Sequence, residues 1–377
     1  MHIIIAPNAF KHSLDAASAA KAIEQGLRAA DPSCTTECIP VGDGGDGTGS
    51  LLTNALNGDS VTATVQDPLG RPVTASYGIT KGQTAIIEMA AASGIRLLKP
   101  EEYDPMRATS FGTGQLIADA LNKGAKKIML CVGGSATVDG GCGLLQALGV
   151  RFLDEQNELT NATPENLPRL ARIDLSNIHP AIRNCELAVL CDVSNPLLGT
   201  NGAARIFGPQ KGATEKEVKL LEKGLQHFSE RIEQATGRNI AGMPRGGAAG
   251  GVVAGLCGLL NGKAVNGIGY FLDEISFDQS LKNATHVLTG EGSIDLQTLD
   301  GKAPYGVALR AKERNIPVTA FAGQVPDNAK HNLSTVFEQV IVITEKDTTL
   351  EQALANTGKN LEQKAFEWMK RLRNTSR

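Results

Sequence analysis

The sequence predicts an α/β fold: two α/β domains with mostly parallel sheets, the second inserted into the first. Three observations carry this. Short β-branched runs alternate with helical stretches at both ends of the chain, which is the texture of parallel βα units. The middle is more irregular. The 377 residues exceed one ordinary domain at roughly 150 residues each. The boundaries fall near 65 and 265, giving a discontinuous Rossmann-like domain of residues 1–65 and 265–377 and an inserted α/β domain of residues 66–264.

The elements follow in order. His2–Ala6 is a β-branched strand, and a helical pattern runs from Ser13, read as its N-cap, to Ala30, where Asp31-Pro32 stops it. Thr36–Val41 is a second strand and Thr48–Leu56 a second helix. From Val61 to Met89 alternating Thr/Val-rich segments, broken by Pro68, Gly70 and Gly82, predict antiparallel strands. Gln115–Asn122, Lys127–Val132 and Gly141–Leu148 then read helix, strand, helix. Residues 154–184 are polar and irregular, Glu186–Cys191 is a strand, and Glu215–Gln234 a long amphipathic helix. After a small-residue segment at 246–262 come strand Thr285–Thr289, helix Ala303–Arg314, strand Pro317–Ala322, strand Gln339–Thr344 and a closing helix at 349–372.

Composition excludes several classes of function. Hydrophobic residues at 41% and charged residues at 20% are those of a globular chain, not a disordered one. A net charge of -3, scattered Lys and Arg, and only 4% aromatics give nucleic acid neither a basic patch nor a stacking platform. The seven Cys sit mostly in apolar runs and show no zinc-site spacing. No signal peptide or spanning segment is expected at the N-terminus or in the Gly-dense stretch 246–262, so the reading is a cytoplasmic protein with no membrane partner.

Glycine is the informative outlier, at 42 residues. It clusters with carboxylates just beyond apolar strands, as in Gly42-Asp43-Gly44-Gly45-Asp46-Gly47-Thr48, in Gly133-Gly134-Ser135-Ala136-Thr137-Val138-Asp139-Gly140-Gly141, and in Gly290-Glu291-Gly292-Ser293-Ile294-Asp295; Asp192 follows Cys191 in the same way. Ligands of open α/β sheets bind beyond the carboxyl ends of the strands. Glycine-freed backbone N–H groups cradle phosphate, and carboxylates beside them require a divalent cation between, so these loops read as a magnesium–nucleotide site. Lys11, Arg71, Arg107, Arg205, Lys211, Arg245 and Lys302 lie in Gly- or Pro-flanked loops from which a cation can clamp phosphate.

Other chemistries fit less well. Gly42-x-Gly44-x-x-Gly47 matches the dinucleotide fingerprint and keeps an NAD(P)-dependent reductase of a small hydroxy acid open, although it follows the second strand and places Asp43 and Asp46 where a pyrophosphate would lie. The pairs Gly262-Lys263, Gly301-Lys302 and Gly358-Lys359 lack the hydroxyl of a P-loop. No Gly-x-Ser-x-Gly elbow occurs, and the six His avoid the glycine loops.

Across these loops the chain resembles the bacterial glycerate kinase family (type 1, the glycerate 2-kinase group) over nearly its whole length. The resemblance rests on Ile5-Ala6-Pro7 with Phe10-Lys11-x-Ser13-Leu14, on Asp43-Gly44-Gly45-Asp46-Gly47-Thr48, on Asp67-Pro68-Leu69-Gly70-Arg71 and on Glu88-Met89-Ala90-Ala91-Ala92-Ser93-Gly94. It continues through Thr109-Ser110-Phe111-Gly112-Thr113-Gly114, Gly133-Gly134-Ser135-Ala136-Thr137, Cys191-Asp192-Val193-x-Asn195-Pro196-Leu197 and Phe207-Gly208-Pro209-Gln210-Lys211-Gly212-Ala213, and ends with Gly290-Glu291-Gly292-x-x-Asp295-x-Gln297-Thr298 and Gly301-Lys302-Ala303-Pro304. One departure is Asn8-Ala9, where the family pattern has Asp-Ser.

The resemblance implies transfer of the ATP γ-phosphoryl group to D-glycerate with Mg2+, giving 2-phosphoglycerate and ADP, in a cleft between two α/β domains. A glycerate 3-kinase on the same scaffold is the near alternative, and a homodimer is left open. Under this reading Asp192 is the expected base, with Asp295 as alternate and Lys11 as a catalytic cation. Asp43, Asp46 and Glu291 are the expected metal ligands. Gly133, Gly134, Ser135, Thr137, Gly290 and Gly292 are expected to hold the nucleotide, and Arg71, Lys302 and Ser13 the substrate.

Overall fold

The structure is a computed structural model and describes residues 1–156, 159, 161–345 and 347–375. The chain divides into two compact units, residues 1–43 with 268–377 and residues 44–267. The first junction therefore falls at 43/44 rather than near 65. The reason is strand pairing: Asp59–Gln66, expected in the first domain, hydrogen-bonds antiparallel along its whole length with Pro72–Ile79 of the middle segment. Among the described residues no helix is long and apolar enough to cross a membrane.

The strands number in chain order β1 (His2–Ile5), β2 (Thr35–Cys38), β3 (Asp59–Gln66), β4 (Pro72–Ile79), β5 (Thr84–Glu88), β6 (Lys127–Cys131), β7 (Arg151–Leu153), β8 (Arg172–Asp174), β9 (Glu186–Cys191), β10 (Lys263–Asn266), β11 (His286–Ser293), β12 (Val318–Gln324) and β13 (Gln339–Val342). The first unit is a five-stranded sheet in the order β13-β12-β11-β1-β2, parallel throughout. Its β-branched central strands are buried on both faces, as parallel sheets require. Ile3, Ile5 and Leu288 pack with Ile23 and Leu27 of the helix Ala16–Ala30 and with Leu361 and Met369 of the helix Thr357–Thr375. The first helix starts later than expected. Asp15, not Ser13, is its N-cap, accepting from the Ser18 N–H at 2.8 Å.

The second unit is a six-stranded sheet in the order β10-β9-β6-β5-β4-β3, parallel from β10 to β5 and antiparallel through β4 and β3. Its core joins Ile87, Leu130 and Val189 of the sheet to Leu116, Leu225, Phe228 and Leu256 of the helices Phe111–Asn122, Glu215–Thr236 and Val252–Leu260. The polar stretch 154–184 is not wholly irregular, since β8 lies in it and pairs with β7 as a small antiparallel ribbon. Edge strand β10 also escaped the sequence reading, because it is only four residues long and is separated from the apolar helix Val252–Leu260 by no more than Asn261-Gly262.

Candidate active site

In the first unit the chain leaving β1 lies beside Asp43 and the end of β11. Asn8 donates its backbone N–H to the Gly290 carbonyl at 2.8 Å and its side-chain amide to Asp43 Oδ2 at 3.0 Å. Asp43 and Glu291 are both buried, each 7% exposed. Burial pushes the Glu291 carboxyl up to about 7, with Asp43 adding to the shift while the Thr298 hydrogen bond, Lys302 and Lys11 oppose it.

A hydrogen-bond relay continues from Glu291. Thr298 donates its hydroxyl to Glu291 Oε1 at 2.8 Å and accepts from the Asp295 N–H at 3.1 Å. The Asp295 carboxylate in turn accepts from the Thr298 N–H at 3.1 Å, and the Lys302 ammonium stands 3.8 Å from it. Asp295 thus caps the turn Leu296–Asp300.

The glycines expected to hold nucleotide in this unit do something else. β11 does not stop at Thr289 but runs on through Glu291, with Gly290 opposite Phe321 and Glu291 opposite Ala322 of β12. Gly290 and Gly292 are therefore strand residues, and the Gly290 carbonyl is already taken by Asn8. Ser13 donates its hydroxyl to the Leu354 carbonyl at 2.6 Å, which ties it to the C-terminal segment rather than to a substrate. Lys11 is exposed at the mouth of the same turn.

In the second unit, Asp46 pairs with Arg96. Asp43 and Glu291 are thus brought together in the first unit, and Asp46 is engaged by Arg96. Among the described residues no group of three or more His, Cys, Asp or Glu side chains is arranged to hold a metal ion. The donor chemistry of the Asp43–Glu291 pair nevertheless fits magnesium. It is all oxygen and buried, and the Asp43 charge adds to the shift that burial imposes on Glu291, a repulsion that a divalent cation would relieve.

The dinucleotide-like loop is closed to a pyrophosphate. The helix Thr48–Ala55 starts after Gly47, and the Glu88 carboxylate at the end of β5 accepts from the N–H groups of Gly47 at 3.3 Å, Gly49 at 2.7 Å and Ser50 at 3.2 Å. The anion that a helix N-terminus attracts is already built into the protein there. The reductase reading loses its site.

The loop after β6 is held differently. Gly133 donates to the Gly44 carbonyl at 3.0 Å, and a Cβ there would stand 2.5 Å from Gly45 Cα, so only glycine fits. Gly134 turns the chain at φ +72°. Beyond it Asp139, fully buried, accepts from the Ser110 N–H (2.8 Å) and hydroxyl (2.7 Å) and from the N–H groups of Gly141 (3.0 Å) and Gly143 (3.2 Å). Burial pushes its pKa up against those four bonds. Between Gly134 and Asp139, Ser135 and Thr137 meet Lys211, whose ammonium donates to Ser135 Oγ at 2.8 Å and to the Thr137 carbonyl at 2.7 Å. Lys211 figured in the sequence only as one of several loop cations. Nothing in its spacing announced that it is buried.

Asp192 is half-buried at the carboxyl end of β9. Arg245, at φ +67°, braces this point by donating from its guanidinium to the Cys191 carbonyl at 3.2 Å and from its N–H to the Ser194 carbonyl at 3.1 Å. A non-glycine residue held at positive φ signals a position fixed by its surroundings. Arg71, expected to bind substrate, instead closes the turn between β3 and β4. Its guanidinium pairs with Asp67 and Glu102, each at 2.6 Å, which raises its pKa, the Glu102 bond contributing most.

The model of the glycerate kinase family matches residues 3–373. Glycerate 2-kinase of Escherichia coli K12 is 42% identical over 94% of this chain and 95% of its own. Glycerate kinase of Halalkalibacterium halodurans is 43% identical over 93% of each chain. A solved structure of a protein assigned as glycerate kinase 2 of Salmonella typhimurium LT2 superposes with a TM-score of 0.87 at 38% identity, covering 100% of this chain and 99% of that one. With its fold, its loops and nearly its whole length in common with these proteins, the chain belongs to the glycerate kinase family.

Proposed function

We propose that this chain transfers the γ-phosphoryl group of ATP to the 2-hydroxyl of D-glycerate, giving 2-phosphoglycerate and ADP. The observation that carries the reading is the likeness to a glycerate 2-kinase over 94% of the chain. The buried, oxygen-only Asp43–Glu291 pair supports it, because phosphoryl transfer is catalysed mainly by positioning and by neutralising charge.

Asp43 and Glu291 are the residues proposed to hold Mg2+, which when bound offsets the negative charge of the nucleotide phosphates. Asn8 and Thr298 orient the two carboxylates through the hydrogen bonds described above. Asp192 is the proposed base that takes the proton of the glycerate hydroxyl. Asp295 is the weaker alternate, since its carboxylate is engaged by the Thr298 N–H and faces Lys302. Lys302 and Lys11 are the cations proposed for glycerate carboxylate or phosphoryl oxygens, while Arg71 and Ser13 are spent on backbone and carboxylate partners. We take the two compact units as the two domains and the cytoplasm, where ATP and a diffusible acid meet, as the place of reaction.

The test is a steady-state assay with D-glycerate and MgATP, coupled through enolase and pyruvate kinase without phosphoglycerate mutase. Signal establishes 2-phosphoglycerate as the direct product. Silence that the mutase rescues means the 3-hydroxyl is phosphorylated instead. Silence in both defeats the reading.

A further inference from the structure

Lys211 does something that neither packing nor the roles above explain. It is only 4% exposed, and it ends the short turn Pro209–Lys211 between the helices Ala203–Phe207 and Glu215–Thr236. The residue after it, Gly212, takes φ +98°, and a Cβ there would stand 2.8 Å from the Tyr103 backbone carbonyl, so the turn admits no side chain at that point. The ammonium reaches from this turn into the loop after β6.

The ammonium finds neutral acceptors there, the Ser135 hydroxyl and the Thr137 carbonyl. Asp139 is the negative charge acting on it, and the Asp139 carboxylate is committed to Ser110, Gly141 and Gly143. A third N–H of the ammonium remains after those two bonds. On the same residue whose carbonyl it meets, the Thr137 hydroxyl is buried with no hydrogen-bond partner among the described residues. Burial draws the Lys211 pKa down to about 7. Folding a cation away from water without a contacting counter-ion destabilises a protein, and such an arrangement persists where a ligand brings the opposite charge.

We propose that Lys211 is the positioning residue of the nucleotide's phosphate loop: it clamps the backbone of residues 133–137 from inside the fold through Ser135 and Thr137, and supplies that loop with positive charge when an anionic phosphoryl group enters it. The inference rests on the reading of this loop as a phosphate site. It adds that the loop's charge comes from a lysine 74 residues further along the chain than Thr137, where a P-loop enzyme would carry the lysine within the loop itself.

The test compares the full-length wild type with Lys211→Met and Ser135→Ala by thermal unfolding, by calorimetric binding of the non-hydrolysable analogue MgAMP-PNP, and by kcat and KM for MgATP and D-glycerate separately. At pH 7 or below, where the native ammonium is charged, Lys211→Met is expected to melt no lower than wild type, because the change removes a buried charge. It should bind MgAMP-PNP roughly 30-fold more weakly and turn over roughly 100-fold more slowly, with KM for D-glycerate nearly unchanged. A folded Lys211→Met enzyme with wild-type Kd and kcat overturns the proposal, and so does one whose Tm falls while its Kd holds. If Lys211→Met does not fold, Ser135→Ala decides: it keeps the ammonium, loses one anchor and should slow turnover by roughly 3- to 10-fold while circular dichroism shows the fold retained, and unchanged kinetics overturn the proposal. A wild type that binds MgAMP-PNP but leaves D-glycerate untouched defeats the glycerate reading alone, since the Lys211 inference is then still judged on Kd.

Discussion

Asn8 donates an amide hydrogen to Asp43 at 3.0 Å, beside a glutamate that burial makes a reluctant anion. An aspartate in its place would exchange that donor for a like charge at the same distance. Asn8→Asp is therefore expected to destabilise the metal-free protein by about 1–3 kcal/mol, and Mg2+ should recover more melting temperature in the variant than in wild type. Equal recovery in a thermal-shift titration would argue that no cation sits at Asp43. At Asp192 the expectation is kinetic. Asp192→Asn should lower kcat by about 10²- to 10⁴-fold while leaving the circular dichroism spectrum and Tm in place. A near-wild-type rate would remove it from the mechanism.

At the scale of elements, Glu88 anchors the start of the helix Thr48–Ala55 by three N–H bonds. Glu88→Ala leaves those donors without their acceptor and should cost about 1–3 kcal/mol in urea unfolding, whereas Glu88→Gln, which keeps an acceptor oxygen, should cost less. Legibility in the sequence divides along the same line. Alternating strands and helices, and glycine loops at strand ends, are local patterns, and the parallel pairing of the first sheet and of β10 to β5 in the second follows from them. What could not be read depends on partners distant in sequence. Glu88 closes a loop 41 residues before it, so a literal fingerprint at Gly42, Gly44 and Gly47 looked open. Glu291 looked like a loop residue until pairing with β12 drew it into a strand. The Asp67 carboxylate claimed Arg71, and the Leu354 carbonyl claimed Ser13, where the sequence offered only a cation and a hydroxyl near glycine.

At the scale of the whole molecule, the buried lysine leaves a signature in stability. Unfolded, Lys211 titrates near its ordinary 10.5; folded, near 7, with Asp139 the acidic group acting on it. Between those values the unfolded chain holds a proton that the native state lacks, so this contribution to stability rises with pH across the window and is flat below it. Relative to Lys211→Met, wild type should gain roughly 3 kcal/mol between pH 7 and about 9.5 in urea unfolding. A constant difference would show that the native ammonium stays charged. Among the described residues, each unit also has a large hydrophobic cluster drawn from its own residues. Residues 44–267 expressed alone should accordingly melt in one cooperative transition, and a broad, non-cooperative melt would show that the excised segment depends on the rest of the chain.

The strand order has a consequence for synthesis. β1 lies between β2 and β11, yet β11 leaves the ribosome roughly 250 residues after β2, about 12 to 50 s later at ordinary translation rates. For that interval Ile3, Ile4 and Ile5, each wholly buried in the finished protein, form half of a sheet whose inner edge has no neighbour. The middle segment can complete its own core meanwhile. The strand pair β1 and β2 is thus the stretch most in need of chaperone cover, and slowing elongation across residues 44–267 should lower soluble yield without altering the activity of the molecules that finish.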